Sequence, residues 1–181
     1  MTEVILFSTI KVDTPSQTPP FDFITYKRRQ RNTSAIQKIY LGRLLECPET
    51  SVCVILWASP TALDAFLMSP ATGRGWLPCA RRRGPSTAWA SRPKGLNAIS
   101  APDASCTEVC MIPGADDDFI PARMMPFAKA IDAESMAGYH GLTFGMCKTL
   151  VTHGAVEPQN TGKLLLGWTS VEAHVVQRGD C

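Results

Sequence analysis

Three histidines carry the acid–base chemistry that this 181-residue sequence offers near neutral pH. His174 falls in a helical pattern, His140 follows Tyr139 just before an apolar stretch, and His153 borders Gly154. A histidine can act as a general base, and one next to a tyrosine can polarise a phenol or an enol. Alternation along a strand would put Tyr139 and His140 on opposite faces. His153 reads as a loop residue. The three histidines have no metal-ligand spacing, and Asp116-Asp117-Asp118 reads as a loop, so no metal site is expected. Gly138, Gly141 and Gly145 do not fit a dinucleotide fingerprint, and no Gly-x-Ser-x-Gly nucleophile occurs. The expected cofactor set is therefore none.

Composition narrows the setting. Hydrophobic residues make up 45% and charged residues 19%, enough apolar material for a packed core. A net charge of +2 does not point to nucleic acid. No apolar run approaches the roughly 18 residues of a membrane span. Glu3 stands where a secretory leader would carry a basic residue, so a cytoplasmic location is expected. Seven cysteines is an odd number, and no Cys-x-x-Cys is present; Cys106 and Cys110 are four apart without a matching pair. Reduced thiols are expected, with Cys53 and Cys147 inert in apolar strands.

The elements that must position these residues are repeated along the chain. Thr2-Glu3-Val4 and Thr107-Glu108-Val109 each open an apolar run, 105 positions apart. Val52–Trp57 and Lys163–Trp168 each end in Trp followed by a Ser two residues on, 111 positions apart. Two anchors in the same order at similar offsets indicate two copies of one unit.

In the first copy, Val4–Val12, Ile36–Leu45 and Val52–Trp57 read as strands, and the last is apolar enough to be buried on both faces. Pro15, Pro19 and Pro20 mark a loop, and a short helix is expected around Phe21–Arg31. Ser59 and Pro60 suit the N-cap and first position of a helix running to Met68. In the second copy a strand runs to Pro113, Phe127–Met136 reads as a helix, Gly138–His153 as extended, Glu157–Gly162 as a turn, and Lys163–Trp168 as a strand. Ser170 would cap the next helix.

Each unit is then β-α-β-β-α, the ferredoxin-like plan short of its fourth strand. A sheet with helices on one face leaves the other apolar, and a second copy in the same chain would cover it. The expected fold class is α+β: two such units, residues 1–70 and 105–181, forming an intrachain pseudo-dimeric α+β barrel around a small pocket.

The segments Leu41-Gly42-Arg43, Ile55-Leu56-Trp57-Ala58-Ser59, Ala65-Phe66-Leu67-Met68-Ser69-Pro70 and Gly167-Trp168-Thr169-Ser170-Val171-Glu172-Ala173-His174 carry a family resemblance. They resemble fungal tandem proteins of the dimeric α+β barrel superfamily, similar to antibiotic-biosynthesis monooxygenases and stress-responsive A/B barrel proteins. The resemblance covers about residues 2–70 and 105–175. It implies polyketide tailoring: cofactor-independent oxygenation of aromatic rings, or cyclisation and dehydration of reactive intermediates. It also implies a histidine at the position of His174, near the barrel mouth.

Two segments depart from that pattern. Residues 71–104 read as an irregular basic linker: residues 71–102 hold several Arg, scattered Gly, Pro and Trp, and no Asp or Glu. The fourth strand of the first unit should lie there. Such a composition fits either a segment foreign to the fold or a basic loop for an anionic partner. At the other end, Gln177-Arg178-Gly179-Asp180-Cys181 is expected to stop the last helix early, without a fourth strand.

The expected function is a small monooxygenase-like enzyme of fungal secondary metabolism, acting on an aromatic or polyketide-derived intermediate. His174 and His140 are the candidate bases, and Tyr139 the residue that orients the substrate. The alternatives are a polyketide cyclase or dehydratase, or a non-catalytic binding or accessory barrel. The expected partner is the small substrate, with no nucleic acid and no membrane, and a homodimer is left open. The repeat keeps a bland reading open for His174: aligning Trp57 with Trp168 sets Leu63 opposite it, as for a packed residue. Trp57 and Trp168 themselves read as core anchors.

Overall fold

The computed structural model describes residues 4–11, 35–68, 87–91, 100–152 and 160–178. The expected proline loop, the helix around Phe21–Arg31, His153 and most of the basic segment lie outside the described residues. The chain divides into two compact units, Met1–Ala90 with Thr149–Pro158, and Ser91–Lys148 with Gln159–Cys181. Each has a helix-backed antiparallel sheet, giving a mixed α+β fold.

In the first unit, β1 (Val4–Lys11) and β2 (Ile36–Arg43) flank β3 (Thr50–Trp57). The apolar run that marks β3 in the sequence is the buried centre of the sheet: Cys53 through Trp57 are all under 9% exposed. Helix α1 (Pro60–Met68) follows at once. Its start is held by Ser59, whose Oγ accepts a hydrogen bond from the Ala62 amide at 3.2 Å, as an N-cap should. Leu63 and Phe66 turn inward, and the Phe66 ring lies 4.9 Å from that of Trp57.

One expectation is corrected here. The segment taken as irregular holds β4 (Thr87–Ser91), next to β1, and a helical turn at Ser100–Asp103. The order β2-β3-β1-β4 is the complete ferredoxin-like order, so the first unit does have its fourth strand. Five residues, Thr-Ala-Trp-Ala-Ser, are too few to show a period of their own. The strand exists because β1 offers an open edge.

In the second unit β7 (Thr161–Trp168) is central, between β5 (Cys106–Pro113) and β6 (Tyr139–Thr152). A π-helical turn at Phe119–Met124 runs into α2 (Met125–Glu134). Helix α2 thus starts two residues before the expected Phe127–Met136, continuing from the π-helical turn, and stops two residues early because Ser135 adopts a left-handed conformation at φ 50°. The last helix, α3 (Val171–Arg178), is capped by Ser170, whose Oγ accepts from the Ala173 amide at 3.2 Å. It runs through Gln177 and Arg178, past the expected stop. No fourth strand of this unit occurs among the described residues.

Strand pairing sets the two copies in register more firmly than the letters do. Trp57 pairs with Val4 and Ile36; Trp168 pairs with Cys106 and Tyr139. Both sheets carry a bulge at the same place, after Ile36 and after Tyr139. Val4 therefore corresponds to Cys106, not to Val109, and the two Thr-Glu-Val triplets are not equivalent positions. Their likeness of letters lies three residues out of register.

Register also sorts the second sheet into faces, since directly paired residues point the same way. One face carries Glu108, Leu166 and Leu142 in one row and Cys110, Leu164 and Phe144 in the next. Phe119, Ile120, Met124 and Ala128 cover these leucines and Phe144 to form the core. The opposite face carries Met111, Lys163 and Gly145, and beside them Thr143 and Leu165.

Candidate active site

The helix-covered face of the second sheet holds the candidate site. His174 is in the first turn of α3, one turn after the Ser170 cap, and this points its ring back toward the end of β7. The ring lies 5.5 Å, centroid to centroid, from the indole of Trp168, which is 3% exposed. Tyr139 packs edge-on against the same indole at 5.9 Å. Trp168 thus joins two of the three residues singled out from the sequence.

Glu108 completes the group. Its Oε2 is 3.0 Å from His174 Nε2, with the side chains 26% and 15% exposed. Nε2 is fully shielded and makes no aligned hydrogen bond, so the carboxylate is its close polar neighbour. Cys110, two residues along β5 on the same face, donates its thiol hydrogen to Glu108 Oε1 at 3.5 Å. The two carboxylate oxygens thus face different partners, a thiol and an imidazole.

Tyr139 donates its hydroxyl hydrogen to Asp132 Oδ1 at 3.0 Å, a bond from the start of β6 back to α2. Burial pushes the phenol pKa up, and the hydrogen bond and negative charge of Asp132 push it further. The Tyr139 hydroxyl therefore keeps its proton. His140 is the extra residue of the β6 bulge, paired to no residue of β7, and is exposed. No described contact joins it to the His174 group.

The indole nitrogens of Trp57 and Trp168 are both buried without a hydrogen-bond partner. Because the first unit repeats the feature, it belongs to the sheet–helix junction and not to a site peculiar to the second unit. Both tryptophans act as core anchors.

Glu108 and Lys163 are functional candidates that residue type and spacing do not single out. Glu108 was visible only as part of a repeat anchor, and Lys163 only as the start of an apolar strand. Lys163 is 3% exposed, and burial brings its amine down to about 7. Among the described residues no three His, Cys, Asp or Glu side chains are grouped as metal ligands. No helix there is long and apolar enough to cross a membrane.

No family model matches the chain, and no curated protein matches it. Solved structures do. An anthrone oxidase-like protein superposes with a TM-score of 0.67 at 12% identity, covering 98% of this chain and 78% of its own. The fold is that of this protein. A "putative monooxygenase" from Lactobacillus acidophilus gives a TM-score of 0.54 at 10% identity over 97% of this chain and 81% of its own. Another from Fusobacterium nucleatum gives 0.54 at 8% over 98% and 81%. At these identities the likeness shows a shared fold, and function has to be argued from the site.

Proposed function

We propose that the chain is a monooxygenase-like enzyme that oxidises an aromatic or polyketide-derived small molecule with dioxygen, in fungal secondary metabolism, without a bound cofactor. The observation that carries this reading is the imidazole of His174, held between the Trp168 indole and the Glu108 carboxylate. Neighbours described as anthrone oxidase-like and as monooxygenases support it.

The chemistry needs little beyond a positioned base. His174 takes a proton from a methylene flanked by hydroxylated aromatic rings, leaving a stabilised carbanion. That carbanion gives one electron to dioxygen, and the two radicals combine to a hydroperoxide. Loss of water, with the proton returned from His174, leaves a carbonyl. One CH2 and one O2 become one C=O and one H2O, so no external reductant is consumed. A partly buried site favours the step, because the carbanion and the oxygen intermediates are kept from side reactions with water.

Oxygen uptake by the purified chain with a hydroxylated anthrone tests the proposal. The expected result is one O2 consumed per anthrone, with quinone absorbance rising in step, and a drop of about 10²-fold or more in His174→Gln. Anthrone turnover at the uncatalysed rate would overturn it. Consumption of an open-chain polyketide analogue without oxygen uptake would point to cyclisation or dehydration instead.

A further inference from the structure

We infer that Glu108 is a positioning residue for His174: it fixes the hydrogen on Nε2 and leaves Nδ1 as the nitrogen that accepts the substrate's proton. This deepens the catalytic reading and rests on it for the role of Nδ1.

Three observations carry the inference. The first is distance. With the carboxylate oxygen 3.0 Å away, a lone pair on Nε2 is disfavoured by its negative charge, whereas an N–H there is attracted. The two atoms are close but not aligned as a hydrogen bond in the resting protein, as is common for catalytic contacts before a ligand tightens the site. The second is the other carboxylate oxygen. Oε1 already accepts from Cys110, so Oε2 is the oxygen turned to the imidazole.

The third comes from the repeat. Glu108 pairs with Leu166 and Leu6 pairs with Ile55, so Glu108 and Leu6 hold equivalent places on their sheets. His174 and Leu63 follow their tryptophans by the same six residues. Where one unit has glutamate and histidine, the other has two leucines, and Leu63 is packed at 3% exposure. The fold is therefore satisfied by a packed leucine at the place of His174. The polar couple serves something other than packing, and both halves of it occur together in one unit.

The orientation has a chemical consequence. With the hydrogen on Nε2, beside the carboxylate, protonation of Nδ1 creates an imidazolium already next to a negative charge. No described hydrogen bond engages Nδ1. The acceptor is thus the nitrogen free to meet a ligand.

Nitrogen-15 NMR of the uniformly labelled full chain reads the tautomer directly, with the His174 signals assigned by their loss in His174→Gln. The expected result is the Nε2–H tautomer in neutral His174, kept in Glu108→Gln, whose amide oxygen still accepts. In Glu108→Leu, the residue of the sister position, the preference should collapse to a mixture. With hydroxylated anthrone, Glu108→Leu should lower kcat about 10²-fold with little change in KM. An Nδ1–H tautomer in the unsubstituted chain, or a tautomer unmoved in folded Glu108→Leu, would overturn the inference. The NMR result does not depend on turnover. An Nε2–H tautomer in a chain without oxygen uptake would sink the oxygenase reading while leaving Glu108 as the residue that orients His174.

Discussion

Lys163 and Val52 hold the same place in two copies of one strand, each paired with a glycine, Gly145 and Gly42. The first unit fills the place with an apolar side chain. The second buries an amine there at 3% exposure. Burial lowers its pKa from 10.5 to about 7, and the nearby Cys147 pulls weakly the other way.

A lysine whose folded pKa is depressed makes stability depend on pH in a definite sense. Between about 7 and 10.5 the unfolded chain binds the proton that the folded chain refuses, so unfolding is favoured as pH falls through this window. Below about 7 both states are protonated and the destabilisation is complete. Lys163→Val should therefore raise the melting temperature at pH 6, by a stabilisation of roughly 2–4 kcal/mol, and the gain should shrink toward pH 10. Thermal melts at the two pH values check this; a gain that is the same at both would mean the amine is not desolvated.

The Glu108–His174 couple predicts a coupling energy. His174→Leu alone leaves the Glu108 carboxylate partly buried beside the Cys110 thiol without its imidazole neighbour, and should cost about 1–3 kcal/mol. Glu108→Leu with His174→Leu rebuilds the couple of the first unit and should recover most of that loss. Denaturant unfolding of the four members of the cycle measures the coupling. Strict additivity of the two single changes would show that the residues do not interact.

Gly162 lies under the ring of Phe119, and a methyl group added there would overlap the ring carbons. Gly162→Ala should cost about 1–3 kcal/mol, since Phe119 is itself 3% exposed and has little room to move. Gly42 has nothing within 4 Å of an added methyl, so Gly42→Ala should be neutral or slightly stabilising. Chemical unfolding of the two variants would refute the packing of the π-helical turn on β7 if they came out equal.

Thiol labelling should follow burial. Cys47 is exposed, whereas burial pushes the Cys53 thiol up to about 12 and also raises that of Cys147. Since the thiolate is the reactive form, a maleimide followed by peptide mapping should mark Cys47 quickly and Cys53 and Cys147 only on unfolding. Labelling of Cys53 at the rate of Cys47 would contradict the buried place of β3.

The sequence by itself determined what local chemistry decides. The apolar runs of β3 and β7 specify strands buried at the centre of a sheet. Ser59 with Pro60, and Ser170, specify where α1 and α3 begin, because a cap acts within one helical turn. The Trp-x-Ser recurrence revealed the duplication, since both copies meet the same need at a sheet–helix junction. His174 and Tyr139 were visible as candidates, and they converge on Trp168.

Only the tertiary structure decided what depends on residues far apart in the chain. Strand β4 exists because β1 presents an edge to it, a fact no five-residue window contains. Glu108 and His174 are 66 residues apart, and the β5–β7 register decides that Glu108, not Thr107 or Val109, faces the helices. A shift of one residue would turn the carboxylate to the other face. The same rule put Lys163 out of water although its neighbours in sequence gave no sign of it, and set His140 in a bulge beside the tyrosine it follows. Side-chain type and short spacing fix the elements; pairing register, a property of two strands at once, fixes which of their residues meet.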